Sequence, residues 1–114
     1  MIYLIQMFIT LIAGHFLADF PLQNDAIAVG KSNQTQEKEG KHFGVDWFYW
    51  MIAHAATHAL VVGYITGNFY LGLLEFVLHF AIDWCKCNGR FGLHVDQLLH
   101  ATCKLSYIVI LAWV

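Results

Sequence analysis

The sequence predicts an all-α membrane protein, a four-helix transmembrane bundle with a polar His/Asp/Glu cluster in its cytoplasmic half. Three observations carry that expectation. Hydrophobic residues make up 59% of the 114-residue chain and charged residues only 12%, about half of the roughly 25% typical of a soluble domain. Mean hydropathy is correspondingly high at +0.56. Four apolar stretches each approach the ~20 residues that a helix needs to cross ~30 Å of hydrocarbon. Within those stretches, ionisable residues recur at the i, i+4 spacing of one helical face.

Taken in order, the first stretch runs over residues 2–20 and is closed by Pro21. No Lys or Arg precedes it, and His15 and Asp19 stand where a signal-cleavage region would be, so it reads as a retained span. Residues 21–45 read as a polar connector, with "GKSNQTQEKEGKH" as its most loop-like part. The second stretch covers 46–66, Gly67 and Asn68 supply a tight turn, and the third covers 69–87. "NGRFGLH" (88–94) is a second loop, and 95–114 is the fourth stretch. The length suits one integral membrane domain, 1–114, with no internal repeat.

Basic residues orient the spans. Lys31, Lys38, Lys41, Lys86 and Arg90 all fall on the side of the two longer loops, Lys104 lies within the fourth stretch, and the opposite side has none. The positive-inside rule then places both loops in the cytoplasm and both termini outside it, in a bacterial inner membrane. A net charge of -2 and a pI near 6.3 leave no basic stripe for phosphates, which excludes nucleic acid as a partner. Cys85, Cys87 and Cys103 are an odd count with one close pair, and they read as reduced thiols. Trp47, Trp50, Trp84 and Trp113 lie near span ends, as an aromatic belt requires, and His42 and His94 read as solvated loop residues.

The chemistry resides in four segments, one per stretch: "HFLAD" (15–19), "HAATH" (54–58), "EFVLHFAID" (75–83) and "DQLLH" (96–100). Glu75, His79 and Asp83 fall within an arc of about 80° on one helix. With ~1.5 Å of rise per residue, the polar groups of all four helices reach overlapping depths and can share one pocket. A buried carboxylate costs roughly 2.5–3.5 kcal/mol at mid-membrane, so such groups face the bundle interior and have partners. Imidazoles and carboxylates one turn apart are what a divalent-metal site needs, with zinc the first choice and manganese or iron also compatible. Asp96, Gln97 and His100 would orient the imidazoles or act as additional ligands. Glu75, one turn deeper than His79, is the expected general base. Lys86 either snorkels to the headgroups or stabilises an anionic substrate beside the pocket.

Better-known metal motifs do not fit. "HAATH" has Ala55 where a zincin helix carries its glutamate, and Glu75 and His79 are four apart rather than three as in ferritin-like sites. The adjacent His pairs of membrane di-iron oxygenases are absent, and interleaved carboxylates suit a porphyrin poorly.

The ordered series "GHFLADFPLQ" (14–23), "HAATHAL" (54–60), "HFAIDWCK" (79–86) and "DQLLH" (96–100) resembles that of a domain-of-unknown-function family of small polytopic membrane proteins of bacteria and phages. More loosely, it is similar to membrane-bound metal-dependent hydrolases. That similarity would mark His15, Asp19, His54, His58, His79 and Asp83 as metal ligands. The expectation is a divalent-metal-dependent hydrolase acting at the cytoplasmic membrane interface, with a headgroup substrate such as a lipid phosphoester. Two rivals stay open: a proton or metal-ion conductor, and a non-enzymatic, phage-encoded membrane protein whose polar cluster is structural. The lipid bilayer is the one partner implied, and homo-oligomerisation is left open.

Overall fold

Helix boundaries follow stop signals in the chain. The computed structural model describes residues 1–114 and contains six helices: α1 (Ile2–Asp19), α2 (Asp25–Gly30), α3 (Asn33–Glu39), α4 (Trp47–Thr66), α5 (Phe69–Cys87) and α6 (Leu93–Trp113). α1 ends two residues before Pro21, whose ring and missing N–H cannot continue it. α4 ends at Gly67, which adopts the left-handed conformation (φ 62°) that glycine tolerates best. Asn68 then starts α5, its side-chain oxygen accepting from the backbone N–H of Tyr70 (3.0 Å) and Leu71 (3.2 Å).

The four long helices close into a ring, α1 against α4, α4 against α5, α5 against α6 and α6 back against α1. The tightest seam is α4–α5. A Cβ on Gly72 would lie 2.9 Å from the Ala59 carbonyl oxygen and 3.2 Å from Gly63 Cα, so only glycine allows the backbones to approach this closely. The molecule is elongated, 49 × 24 × 22 Å.

Two expectations need correction. The connector is not a loop throughout: α2 and α3 form within 21–45, and all of "NQTQEKE" is helix. Both short helices are capped, by the Asn24 side chain on Ile27 N–H (2.9 Å) and by the Ser32 hydroxyl on Thr35 N–H (3.2 Å). Second, three helices, not four, are long and apolar enough by composition to cross a membrane: α1, α4 and α6. α5 has the length, 19 residues, but carries Glu75, Asp83 and Lys86. Smaller differences lie at the ends, where α6 begins at Leu93 rather than Val95 and α4 begins after Asp46.

The distribution of side chains is inverted relative to a water-soluble domain. Eleven polar or charged residues are buried against eight hydrophobic ones, whereas soluble cores are overwhelmingly apolar. Large apolar side chains cover the outside, including Ile9, Leu60, Tyr64, Tyr70, Val77, Leu98 and Val109. The apolar core proper (Met7, Leu11, Val62, Leu71 and Tyr107) occupies the end of the bundle away from the connector. The connector end is filled by the polar groups.

Candidate metal centre

Each long helix delivers its polar residues to the ring interior because they share one face. α1 contributes His15 and Asp19 in its last turns, and α4 contributes His54 and His58. α5 contributes Glu75, His79 and Asp83, and α6 contributes Asp96, His100 and Lys104. All are buried. The imidazoles pack on one another, with His58 and His79 stacked at 3.6 Å between ring centroids and His79 and His100 at 4.2 Å.

Asp19 Oδ1 is the focus. His58 Nε2 lies 3.0 Å from it, His54 Nε2 3.3 Å and His79 Nε2 3.9 Å. None of these three nitrogens has a hydrogen-bond partner within the protein. Four ligand atoms held tetrahedrally ~2.0–2.2 Å from one ion stand ~3.3–3.6 Å apart, and the three distances to Asp19 Oδ1 straddle that range. Asp19, His54, His58 and His79 each offer a ligand atom within 4.8 Å of the others, a group that could hold one ion.

Neighbouring groups hold this arrangement in place. The Gln97 amide nitrogen donates to Asp19 Oδ2 (2.8 Å) and to Asp96 Oδ2 (3.1 Å), while its oxygen meets His15 Nε2 at 3.1 Å. His15 Nε2 also sits 3.2 Å from Asp19 Oδ2. His79 Nδ1 meets Glu75 Oε1 at 3.3 Å, so a proton on Nδ1 leaves the Nε2 lone pair facing Asp19. Glu75 is itself fixed by Lys104 Nζ, 2.5 Å from Oε1, and by the Tyr107 hydroxyl, which donates to Oε2 at 2.6 Å.

A second focus lies one turn toward the connector. Asp83 Oδ1 is 3.2 Å from His100 Nε2 and 3.6 Å from His79 Nε2, and His54 Nε2 lies 3.3 Å from Asp83 Oδ2. His79, Asp83 and His100 form another group able to hold an ion. A third such group, His15, His58, Glu75 and His79, shares two histidines with the first. Its carboxylate is already committed to Lys104 and Tyr107.

Residues 7–114 match the family described as "Protein of unknown function (DUF3307)". The chain belongs to the DUF3307 family. No curated protein and no solved structure matches it. The family membership agrees with the resemblance to a domain of unknown function.

For this DUF3307 chain, all six positions expected as ligands converge, together with Asp96, Gln97 and His100. The two expected catalytic residues differ in their placement. Glu75 is in the cluster, but both its oxygens are occupied. Lys86 is at the rim, its side chain about one-third exposed and its Nζ 3.9 Å from Asp96 Oδ2. Sequence reasoning passed over two buried ammoniums: Lys31, which donates to Asp83 Oδ2 at 2.5 Å, and Lys104. For Lys104 the signal was available, since it extends the Asp96–His100 face by one turn. For Lys31 no signal existed, because its approach depends on how α2 packs on α4.

Proposed function

We propose that this DUF3307 protein is an integral membrane metalloprotein with all four long helices crossing the bilayer. Asp19, His54, His58 and His79 hold one divalent cation, zinc before manganese or iron, at the cytoplasmic side. The observation that carries this reading is the clustering of three buried imidazole nitrogens without hydrogen bonds around Asp19 Oδ1, two of them also beside Asp83. A structural polar network would pair those atoms with donors and acceptors, because an unsatisfied buried polar group costs roughly 1–3 kcal/mol.

α5 crosses in this reading because its charges do not meet lipid. Glu75 and Asp83 are inside the ring, and Lys86 lies in the last turn, where it can reach the headgroups.

The reaction class that fits is hydrolysis of a substrate with a headgroup at the interface, such as a lipid phosphoester. The chemistry a divalent ion supplies is polarisation of a phosphoryl or acyl oxygen and activation of water near neutral pH. The chain's own residues orient and charge the site: Gln97 aims Asp19, and Glu75, pinned by Lys104 and Tyr107, fixes the His79 tautomer. Glu75 is a positioning carboxylate in this scheme rather than the general base. Conduction is disfavoured by the apolar cluster of Met7, Leu11, Val62, Leu71 and Tyr107, which offers no ionisable relay group in the usual range.

The test is metal content joined to turnover. Wild-type protein, exchanged in detergent without chelator, should carry one zinc per chain, and His54→Ala and His58→Ala should lose it. Zinc-loaded proteoliposomes should release headgroup from a phosphoester lipid. Folded wild type that takes up no metal under zinc-replete conditions refutes the centre. Bound zinc without headgroup release keeps the centre and refutes the hydrolase.

A further inference from the structure

Beside the four-ligand centre is a second carboxylate–imidazole constellation whose cation comes from the chain itself. We propose that the Lys31 ammonium, held on Asp83 Oδ2, is a built-in second cation for the subsite of His79, Asp83 and His100, so that the centre takes one divalent ion and not two. This inference rests on the metal reading above and specifies its stoichiometry.

The subsite is built much as a metal site would be. His100 Nε2 lies 3.2 Å from Asp83 Oδ1 and 3.4 Å from Asp96 Oδ1. Asp96 is 1% exposed, and its Oδ1 has no hydrogen-bond partner. His79 Nε2, 3.6 Å from Asp83 Oδ1, joins this subsite to the first. His79, Asp83 and His100 are close enough to hold one ion between them, with Asp96 beside His100. Lys31 Nζ sits on Asp83 Oδ2 instead.

Charge balance points the same way. With the imidazoles neutral, as ligands must be, the buried cluster holds four carboxylates (Asp19, Glu75, Asp83 and Asp96) against two ammoniums (Lys31 and Lys104). Two negative charges remain, which one divalent ion neutralises. A second divalent ion would leave two positive charges uncompensated in a low-dielectric interior, where unpaired charge is strongly unfavourable. Neither remaining nearby lysine can replace Lys31. Lys104 is bound to Glu75, and Lys86 is at the rim.

Lys31 is delivered by the connector. It caps the C-terminus of α2, and the preceding residue, Gly30, lies against the Trp50 indole so closely that a Cβ there would come within 2.5 Å of the ring. Beyond it, Asn33 and Asn88 exchange two side-chain hydrogen bonds (3.1 and 3.0 Å) that tie the connector to the end of α5. Docking of this segment and neutralisation of Asp83 are therefore one event.

The experiment is zinc stoichiometry by elemental analysis on purified full-length protein, for wild type, Lys31→Arg and Lys31→Met, with helicity followed in parallel. Wild type and Lys31→Arg should bind one zinc per chain, and Lys31→Met should bind two. Two zinc ions in wild type overturn the proposal, as does one zinc in Lys31→Met protein of native helicity. If Lys31→Met folds only with excess zinc, the second ion has replaced the ammonium and the proposal stands. If zinc does not restore it, the proposal falls. Wild type without any zinc removes the metal reading as a whole, an outcome distinct from one zinc in both proteins.

Discussion

The sharpest test of the four-ligand centre is a change at Asp19 that alters charge and little else. Asp19→Asn keeps the shape and one oxygen, but removes the carboxylate on which three imidazole nitrogens converge at 3.0–3.9 Å. Four-ligand structural zinc sites bind with roughly 10–16 kcal/mol of apparent free energy near neutral pH. An even share is about 2.5–4 kcal/mol per ligand, a loss of about 10²–10³-fold in affinity. Gln97→Leu provides an internal scale. It removes the 2.8 Å hydrogen bond to the outer oxygen of Asp19 and leaves every ligand atom in place, and losing such an orienting contact typically costs 10–100-fold. The assay is competition for zinc against a chromophoric chelator in detergent, with helicity as the control for folding. Asp19→Asn should fall well below Gln97→Leu, and both below wild type. Native zinc affinity in folded Asp19→Asn protein, or a larger loss in Gln97→Leu, would refute the placement of the ion at Asp19 Oδ1.

Three other outcomes are expected. In a background without Cys85, Cys87 and Cys103, a cysteine at Phe69 should react with an impermeant reagent on intact cells and one at Glu39 should not; the reverse pattern would invert the orientation taken from the loop lysines. Lys104→Met should destabilise the bundle by about 3–5 kcal/mol, since it strands Glu75 without its ammonium, and pairing it with Glu75→Gln should restore most of the loss in thermal unfolding. Gly72→Leu should cost about 1–3 kcal/mol or more by pressing on the Ala59 carbonyl and the Gly63 backbone, while Gly14→Ala, which meets only the Val61 and Ile65 side chains, should cost less; equal losses would show that the α4–α5 seam is not closed by backbone contact.

Much of this architecture was legible because helical spacing is a strong signal. The bounds of α1 and α5 lie within a residue of those expected, because Pro21, Gly67, Asn68 and Asn88 mark the ends. The set of polar residues that meet was legible too, since one residue type repeating every fourth position has only one face to occupy. The connector helices were missed although Asn24 and Ser32 are good N-caps. Seven residues rich in Gln, Glu, Lys and Asn carry no apolar stripe, and in α3 no residue is buried. Their helicity comes from capping and from contacts such as Gln36 Oε1 accepting from Trp47 N–H (2.6 Å). The employment of Glu75 was not legible because it depends on which partners the neighbouring helix presents at that depth. Lys104 and Tyr107, three apart on α6, both reach it.

The choice between a metal centre and a structural cluster turns on which atoms lack partners. Polar groups that hold helices together in a membrane do so by hydrogen bonding, each worth about 0.6 kcal/mol on average, and they have no reason to leave nitrogen lone pairs unpaired. Part of the cluster behaves in that way: Lys104, Tyr107 and Glu75 satisfy one another deep in the bundle, and Lys31 satisfies Asp83 near its mouth. Between those two ion pairs the pattern changes. The Nε2 atoms of His54, His58 and His79 are buried without a hydrogen bond and stand within 4 Å of Asp19 Oδ1, with those of His54 and His79 shared with Asp83. Neither ammonium is placed here, where the carboxylate is most crowded by imidazoles. Instead the lysines flank this position on either side, and the two negative charges they leave are those a divalent ion would cancel.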